Sequence, residues 1–176
     1  MRAIIKAGGT VLVSILLSYP FWAPEWGRGI LGEIAAWGMP GGLIAVAVFF
    51  GLVALYCRAL QRTMTLVRPE ARTAAPASVW WMFAIPYNFT EDFFIVRAVS
   101  TSLAADTRVT SGFNRRWAAI GYGWCVFQIL SLFPGVAGYA GGAAALPLWA
   151  AHWIMTARVN RTLAVRRPAA PLTHSL

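Results

Sequence analysis

Charge is what this chain has least of. Of its 176 residues only 12% are Asp, Glu, Lys or Arg, against about 25% in an ordinary soluble domain. Acids are the scarcer sign, 6 against 15 bases. So little polar side chain cannot cover a water-facing globule of this size, and 59% hydrophobic residues exclude a disordered chain. Two cysteines exclude a disulfide framework. Two histidines, with no HExxH and no CxxC, give no metal motif. A bis-histidine haem would need two histidines in the bundle. Only His152 qualifies, because His174 lies in a Pro-rich tail. No Gly-rich phosphate loop follows a strand, so no cofactor is expected.

What the chain does have is long uncharged runs. A membrane helix needs about 20 mostly apolar residues. Ala7 to Pro24 carries no Asp, Glu, Lys or Arg over 18 residues, and Lys6 can snorkel at its start. Ile34 to Cys57 gives 24 such residues, Thr73 to Thr90 gives 18, and Trp117 to Ala157 gives 41. The last run is long enough for two spans, and Phe133-Pro134-Gly135 with Gly138, Gly141 and Gly142 marks a turn inside it. The N-terminus also offers a signal-peptide reading, with Arg2 and Lys6 before Val11–Leu17. Tyr19, Pro20, Phe21 and Trp22 supply no small-residue cleavage site, which favours an uncleaved span.

Positive charge sets the orientation of helical membrane proteins, collecting on the cytoplasmic side. Placing the N-terminus, the 58–72 loop and the C-terminal tail in the cytoplasm works only if the Pro76- and Pro86-interrupted third run does not cross. Then 14 of the 15 basic residues share one side and Arg28 alone faces out. The expectation is an all-α membrane protein, one domain over 1–163. Its four spans fall near 3–22, 34–57, 117–132 and 139–157. An interfacial or re-entrant element fills 77–104, and 164–176 is a flexible basic, Pro-rich tail. Within the element, Asn88 to about Leu103 reads as an amphipathic helix. Phe89, Phe93, Val96, Ser100 and Leu103 form its apolar face, and Glu91, Asp92, Arg97 and Thr101 lie elsewhere around it. Tyr19, Trp22, Trp26 and Trp37 would mark the outer boundary, and Tyr56, Trp80, Trp81 and Trp117 the inner one.

Trp80-x4-Ile85-Pro86-x-Asn88, Ser102-Leu103, Gly123-Trp124-Cys125, Pro134 and the stretch from Trp153 to Leu163 resemble a group of small bacterial membrane proteins. That group carries a VWLxLIPxFN stretch, an SL helix end, a GLxWC helix, an IPxxG turn and a YWxxIxxYxxxL final helix. The resemblance covers roughly Tyr56 to Leu163. It implies the helix layout and adds no chemistry, since no catalytic residue is established for the group. Tyr87, Phe89 and the acids Glu91-Asp92 depart from its pattern.

Ionisable groups inside a membrane are functional candidates by default, and this chain places few there. His152 reads as bonded to a neighbouring helix or, alternatively, as paired with Glu91 or Asp92. The cluster to watch is Asn88, Glu91, Asp92, Arg97 and His152. Asn88 as N-cap with Glu91 at N3 would make a capping box. Gln128 fits an interhelical hydrogen bond, and Cys57 and Cys125 fit packed thiols. Pro40 and Pro147 would kink the second and fourth spans. Gly38-x3-Gly42 and Gly138-x3-Gly142 allow close helix contact. Arg58, Arg62, Arg115, Arg116, Arg158 and Arg161 are candidate contacts for anionic lipid headgroups, and their dispersal over loops excludes nucleic acid as the expected partner. The functional expectation is a non-catalytic subunit, accessory to or assembling a larger inner-membrane complex. It would contact lipid and either other subunits or its own copies. The alternative is a small oligomeric transporter or lipid-handling protein using 86–97.

Overall fold

The computed structural model describes residues 1–165, apart from the side chains at positions 30, 31 and 33. The tail from 166 onward, with Arg166, Arg167 and His174, lies outside them. The described chain is all-helical, with no strand. It runs α1 (Arg2–Trp22), α2 (Gly29–Ala36), α3 (Gly38–Leu66), α4 (Asn88–Ala105), α5 (Ser111–Leu130) and α6 (Gly135–Val165). Short 3-10 segments occupy Pro24–Trp26, Pro69–Ala71 and Pro76–Phe83.

By length and composition, α1 and α3 are apolar enough to cross a membrane, with mean hydropathies of 1.6 and 2.3. Helices α5 and α6 fall short of that measure. The cause is polar residues along both helices: Asn114, Arg115, Arg116 and Gln128 in α5, and His152, Thr156, Arg158 and Asn160 in α6. Of these, Gln128, His152, Thr156 and Asn160 bond to side chains of other helices.

Proline and glycine set the boundaries. Helix α3 begins at Gly38, whose φ of 70° suits glycine. Pro40 therefore falls in the first turn, where its missing N–H costs nothing, and is not an interior kink. Pro147 does lie inside α6. The expected turn between the last two helices is Ser131–Pro134, closed by Gly135 at φ 68°. Gly138 and Gly141 of α6 lie so close to the backbone of residues 131–133 that a side chain would collide with it. Of the two expected small-residue patterns, Gly138 makes its close approach within this hairpin and Gly42 makes one to Ile34 of α2, whereas Gly38 has open space beside it and Gly142 has only ordinary contact with Ser131.

Side-chain pairs fix the register of the bundle. Helices α5 and α6 run antiparallel, with Trp117 on Thr156 and Gly121 against His152. Helix α3 runs parallel to α6, with Tyr56 on His152 and Thr63 on Asn160. The region between α3 and α5 folds back on itself. Its 3-10 limb, Pro76–Phe83, climbs α3 in the opposite sense. Trp80 meets Gln61, Val79 and Met82 meet Cys57, and Phe83 stacks on Phe50. After a turn containing the cis peptide Ile85–Pro86, α4 descends antiparallel to α5. Asp92 meets Gln128 at one end, and Ser100 meets Asn114 at the other. Thr73 bonds Ala98 and Ser102, closing the base of this hairpin.

Helix α4 is a core helix rather than a surface one. Thr90, Glu91, Asp92, Ile95, Val96, Val99, Ser102 and Leu103 are buried, whereas Phe89, Phe93 and Ser100 of the expected apolar face are only half-buried. The buried stripe has rotated toward the acids because partners reach them from α1 and α5. The main core gathers Tyr56, Leu60, Met64, Val96, Val99, Leu103, Trp117, Cys125, Val159 and Leu163 from α3 to α6.

Candidate functional site: three buried polar nodes

The first node lies at the tip of the folded-back hairpin. Lys6, the only lysine in the chain, forms an ion pair with Glu91 and donates to the Tyr87 hydroxyl at 3.0 Å. Tyr87 in turn donates to Glu91 Oε2 at 2.7 Å. The ammonium also lies 4.7 Å from the centre of the Phe94 ring, a cation–π distance. Gly9 lets α1 come this close: a Cβ there would collide with the Thr90 side chain. Next to this trio, Asp92 is 2% exposed and accepts from Gln128 Nε2 at 2.7 Å. Its other oxygen, and Asn88 Oδ1 one turn earlier, have no hydrogen-bond partner among the described residues. A buried carboxylate is costly unless its oxygens are bonded, so this end of α4 is polar beyond what packing requires.

Asn88 is not the N-cap of α4. That position belongs to Tyr87, and no side chain caps the helix. The expected capping box is absent because Glu91 is already held by Lys6 and Tyr87.

The second node is His152. Its ring is fully buried and shares a 2.6 Å hydrogen bond between Nδ1 and the Tyr56 hydroxyl of α3. Trp117 stacks obliquely on it at 4.1 Å between centroids, and Trp124, Trp149 and Trp153 crowd Tyr56 at 5.6 to 6.1 Å. Nε2 has no partner among the described residues and points at Gly121, where a Cβ would sit 2.6 Å away. Of the two alternatives for His152, the geometry matches the bond to a neighbouring helix. Neither Glu91 nor Asp92 bonds it. Arg97 is exposed on α4 and stands apart from both nodes. The five residues expected to cluster therefore separate into Asn88, Glu91 and Asp92 at one node, His152 at another, and Arg97 outside.

The third node lies at the opposite end of the bundle. Asp106, with no exposed surface, takes a two-pronged bond from Arg108, Nε to Oδ1 at 2.8 Å and Nη2 to Oδ2 at 2.6 Å. It also accepts the backbone N–H of Arg68 and of Arg108, each at 3.2 Å. Arg108 reaches on to the Leu66 carbonyl at 2.8 Å and the Leu163 carbonyl at 3.3 Å. One guanidinium thus ties the ends of α3 and α6 to the α4–α5 loop. The bonds from Arg108 hold the Asp106 carboxyl down at about 2, against the opposing effect of burial, with the two backbone N–H groups adding to the depression. The same carboxylate raises the Arg108 guanidinium above its usual value.

Lys6 and Tyr56 belong to these nodes, although their places in the sequence suggest only a snorkelling residue and a boundary aromatic. Asp106 stands out in sequence by one local signal, Asp106-x-Arg108, the spacing of a turn-borne ion pair. Gln128 makes the expected interhelical bond, and Cys57 and Cys125 are free and buried. Among the described residues, no three His, Cys, Asp or Glu side chains converge as a metal set would require. Arg58, Arg62, Arg115, Arg116, Arg158 and Arg161 are all exposed.

Comparison with protein-family models, with curated proteins and with solved structures found no match to this chain.

Proposed function

We propose that this chain is a four-span protein of the bacterial inner membrane, with both termini cytoplasmic, serving as a non-catalytic accessory or assembly subunit of a larger complex. The observation that carries the reading is the apolar surface left on α1 and α3. Ile4, Val11, Leu12, Ile15 and Phe21 of α1 are exposed, as are Leu43, Ile44, Val48, Phe49 and Leu55 of α3. Two such faces suit lipid or other membrane helices and are too large to leave in water. The spans proposed for α5 and α6 draw support from the pairing of α6 in register with both α3 and α5, so that all three fill one layer. The folded-back segment then enters that layer and returns to the arginine side. Its irregular backbone is tolerable at depth because α3 and α4 pack around it. The resemblance of Tyr56–Leu163 to small bacterial membrane proteins fits the same layout.

Purification in mild detergent, followed by identification of co-purifying chains, tests the assembly role. Stoichiometric larger partners are the expected result, and recovery as a lone, stable monomer would count against it. A reporter fused to the C-terminus should report a cytoplasmic location.

A second reading is favoured by one observation, the partnerless oxygens of Asn88 and Asp92 among the described residues. It makes the hairpin tip a site for small polar cargo in an oligomeric transporter or lipid-handling protein. The double variant Glu91→Gln/Asp92→Asn should then lose flux while still assembling. Normal flux in that variant removes the reading.

A further inference from the structure

At the Asp106 end of the bundle, residues of α5 and α6 line a groove of about 670 Å³. Arg116 of α5 and Arg158 of α6 both line it, with Phe113, Ala119, Ile120 and Met155 as apolar wall. The two arginines are exposed, and neither forms an ion pair among the described residues. None of the described acids lines the groove. Two guanidiniums facing one groove repel each other unless an anion lies between them, and the planar guanidinium fork matches phosphate oxygens.

Along the groove the polar residues gather toward one end, with Phe113 beside them, and the other apolar residues lie toward the opposite end. Thr110 and Gly112 lie at its outer end, where α5 begins. A helix leaves N–H groups unpaired in its first turn, and the space beside Gly112 is open. The arginines come next. Ala119, Ile120 and Met155 follow deeper along the two helices. That sequence is headgroup, phosphate, acyl chain. A free phosphate would satisfy the arginines and leave the apolar wall uncovered.

We propose that this groove binds one anionic phospholipid, with its phosphodiester between Arg116 and Arg158 and an acyl chain along Ile120 and Met155. The proposal rests on the membrane reading above and narrows it. Of six exposed arginines considered for lipid contact, two would form a site, while Arg58, Arg62, Arg115 and Arg161 would add only to the general attraction of an anionic leaflet.

The test reconstitutes the full chain into phosphatidylcholine vesicles containing a minor fraction of phosphatidylglycerol, then counts lipid retained per protein by native mass spectrometry. One phosphatidylglycerol should remain on the unaltered chain. Arg116→Gln/Arg158→Gln should lower that retention about thirtyfold, since each arginine near an anionic surface is worth about 1 kcal/mol. Arg58→Gln/Arg62→Gln, which removes equal charge, should leave it nearly unchanged, since neither residue lines the groove. Should the first variant fail to reconstitute, Arg116→Lys/Arg158→Lys keeps the charge without the fork and should show a smaller loss of the same kind. Equal loss in both glutamine pairs, full retention in the lysine pair, retention of phosphatidylcholine as readily, or displacement by inorganic phosphate would overturn the site. Failure of the unaltered chain to enter vesicles would overturn the membrane reading itself, whereas entry without lipid preference would overturn the groove alone.

Discussion

The N-terminal pair α1–α2 and the body formed by α3 to α6 are built on opposite terms. In α1 the buried residues are Val13 and Tyr19, and the helix meets α4 through Lys6 and Gly9. In the body, α3 to α6 share one continuous core in which polar groups lie among the apolar ones. One of the two helices apolar enough to cross a membrane, α1, is therefore among the least packed, while the less apolar α5 and α6 carry much of the core. In a lipid-facing environment this follows directly. A surface toward lipid must be apolar throughout, but an interior between helices can accept polar groups if each finds a bond.

The sharpest break in that contrast is the Asp106 node. Asp106→Ala strips the partner from an arginine that ties three chain segments, and removing one member of such a buried pair costs about 3–5 kcal/mol. Thermal unfolding in detergent should show it as the largest loss of any single substitution described here, with α1 unaffected except through the body. Acid probes the same bond without mutation. The Asp106 pKa is depressed from 3.8 to about 2. Its contribution, roughly 2 kcal/mol, is therefore complete above pH 4 and is lost as pH falls from 4 toward 2. An acid titration of stability should show this slope in the unaltered chain, and its persistence in Asp106→Ala would show that another group is responsible.

Glycines give the next contrast. Gly121→Ala drives a methyl to within 2.6 Å of His152 Nε2 and should cost about 1–3 kcal/mol as overpacking. Gly8→Ala in α1 meets nothing within 4 Å and should be neutral or slightly stabilising, by up to about 1 kcal/mol. Unfolding midpoints of the two variants compare the regions directly, and equal losses would deny that they differ in packing.

Lys6→Met should act locally. Losing this charged contact costs about 1–2 kcal/mol, taken from the docking of α1 rather than from the body. Hydrogen exchange should quicken in α1 and at the hairpin tip while α5 and α6 keep their protection. Loss of protection throughout would make α1 an integral part of the core. The smallest effect is expected at the exposed face. Leu43→Ala should change stability by less than about 0.5 kcal/mol, as surface substitutions do.

Much of the helical layout is legible in the amino-acid sequence. The uncharged runs locate α1 and α3, and Pro134 with Gly135 locates the last turn, because a helix cannot continue through them. The hairpin limbs are legible as a proline-broken run and an 88–103 helix. The orientation of that helix is not. Glu91 and Asp92 belong to a polar face by periodicity, and only the arrival of Lys6 from 85 positions away and Gln128 from 36 away makes their burial tolerable. The candidate site is legible in part for the same reason. Asn88, Glu91 and Asp92 are neighbours in sequence and remain so in space, but His152 was free to pair with any helix and took Tyr56.

Composition and order alone thus determined that the chain is helical, that charge collects in a few segments, and that one proline-interrupted stretch would behave unlike the rest. Local rules suffice for these, since they depend on hydropathy, backbone geometry and nearest neighbours. Tertiary structure decided which polar residues meet. It paired Lys6 with Glu91, Tyr56 with His152, and Arg108 with the carbonyls of Leu66 and Leu163. Each pairing is a contact between segments far apart in the chain, and a buried polar group accepts whichever partner the packing of whole helices brings within about 3 Å.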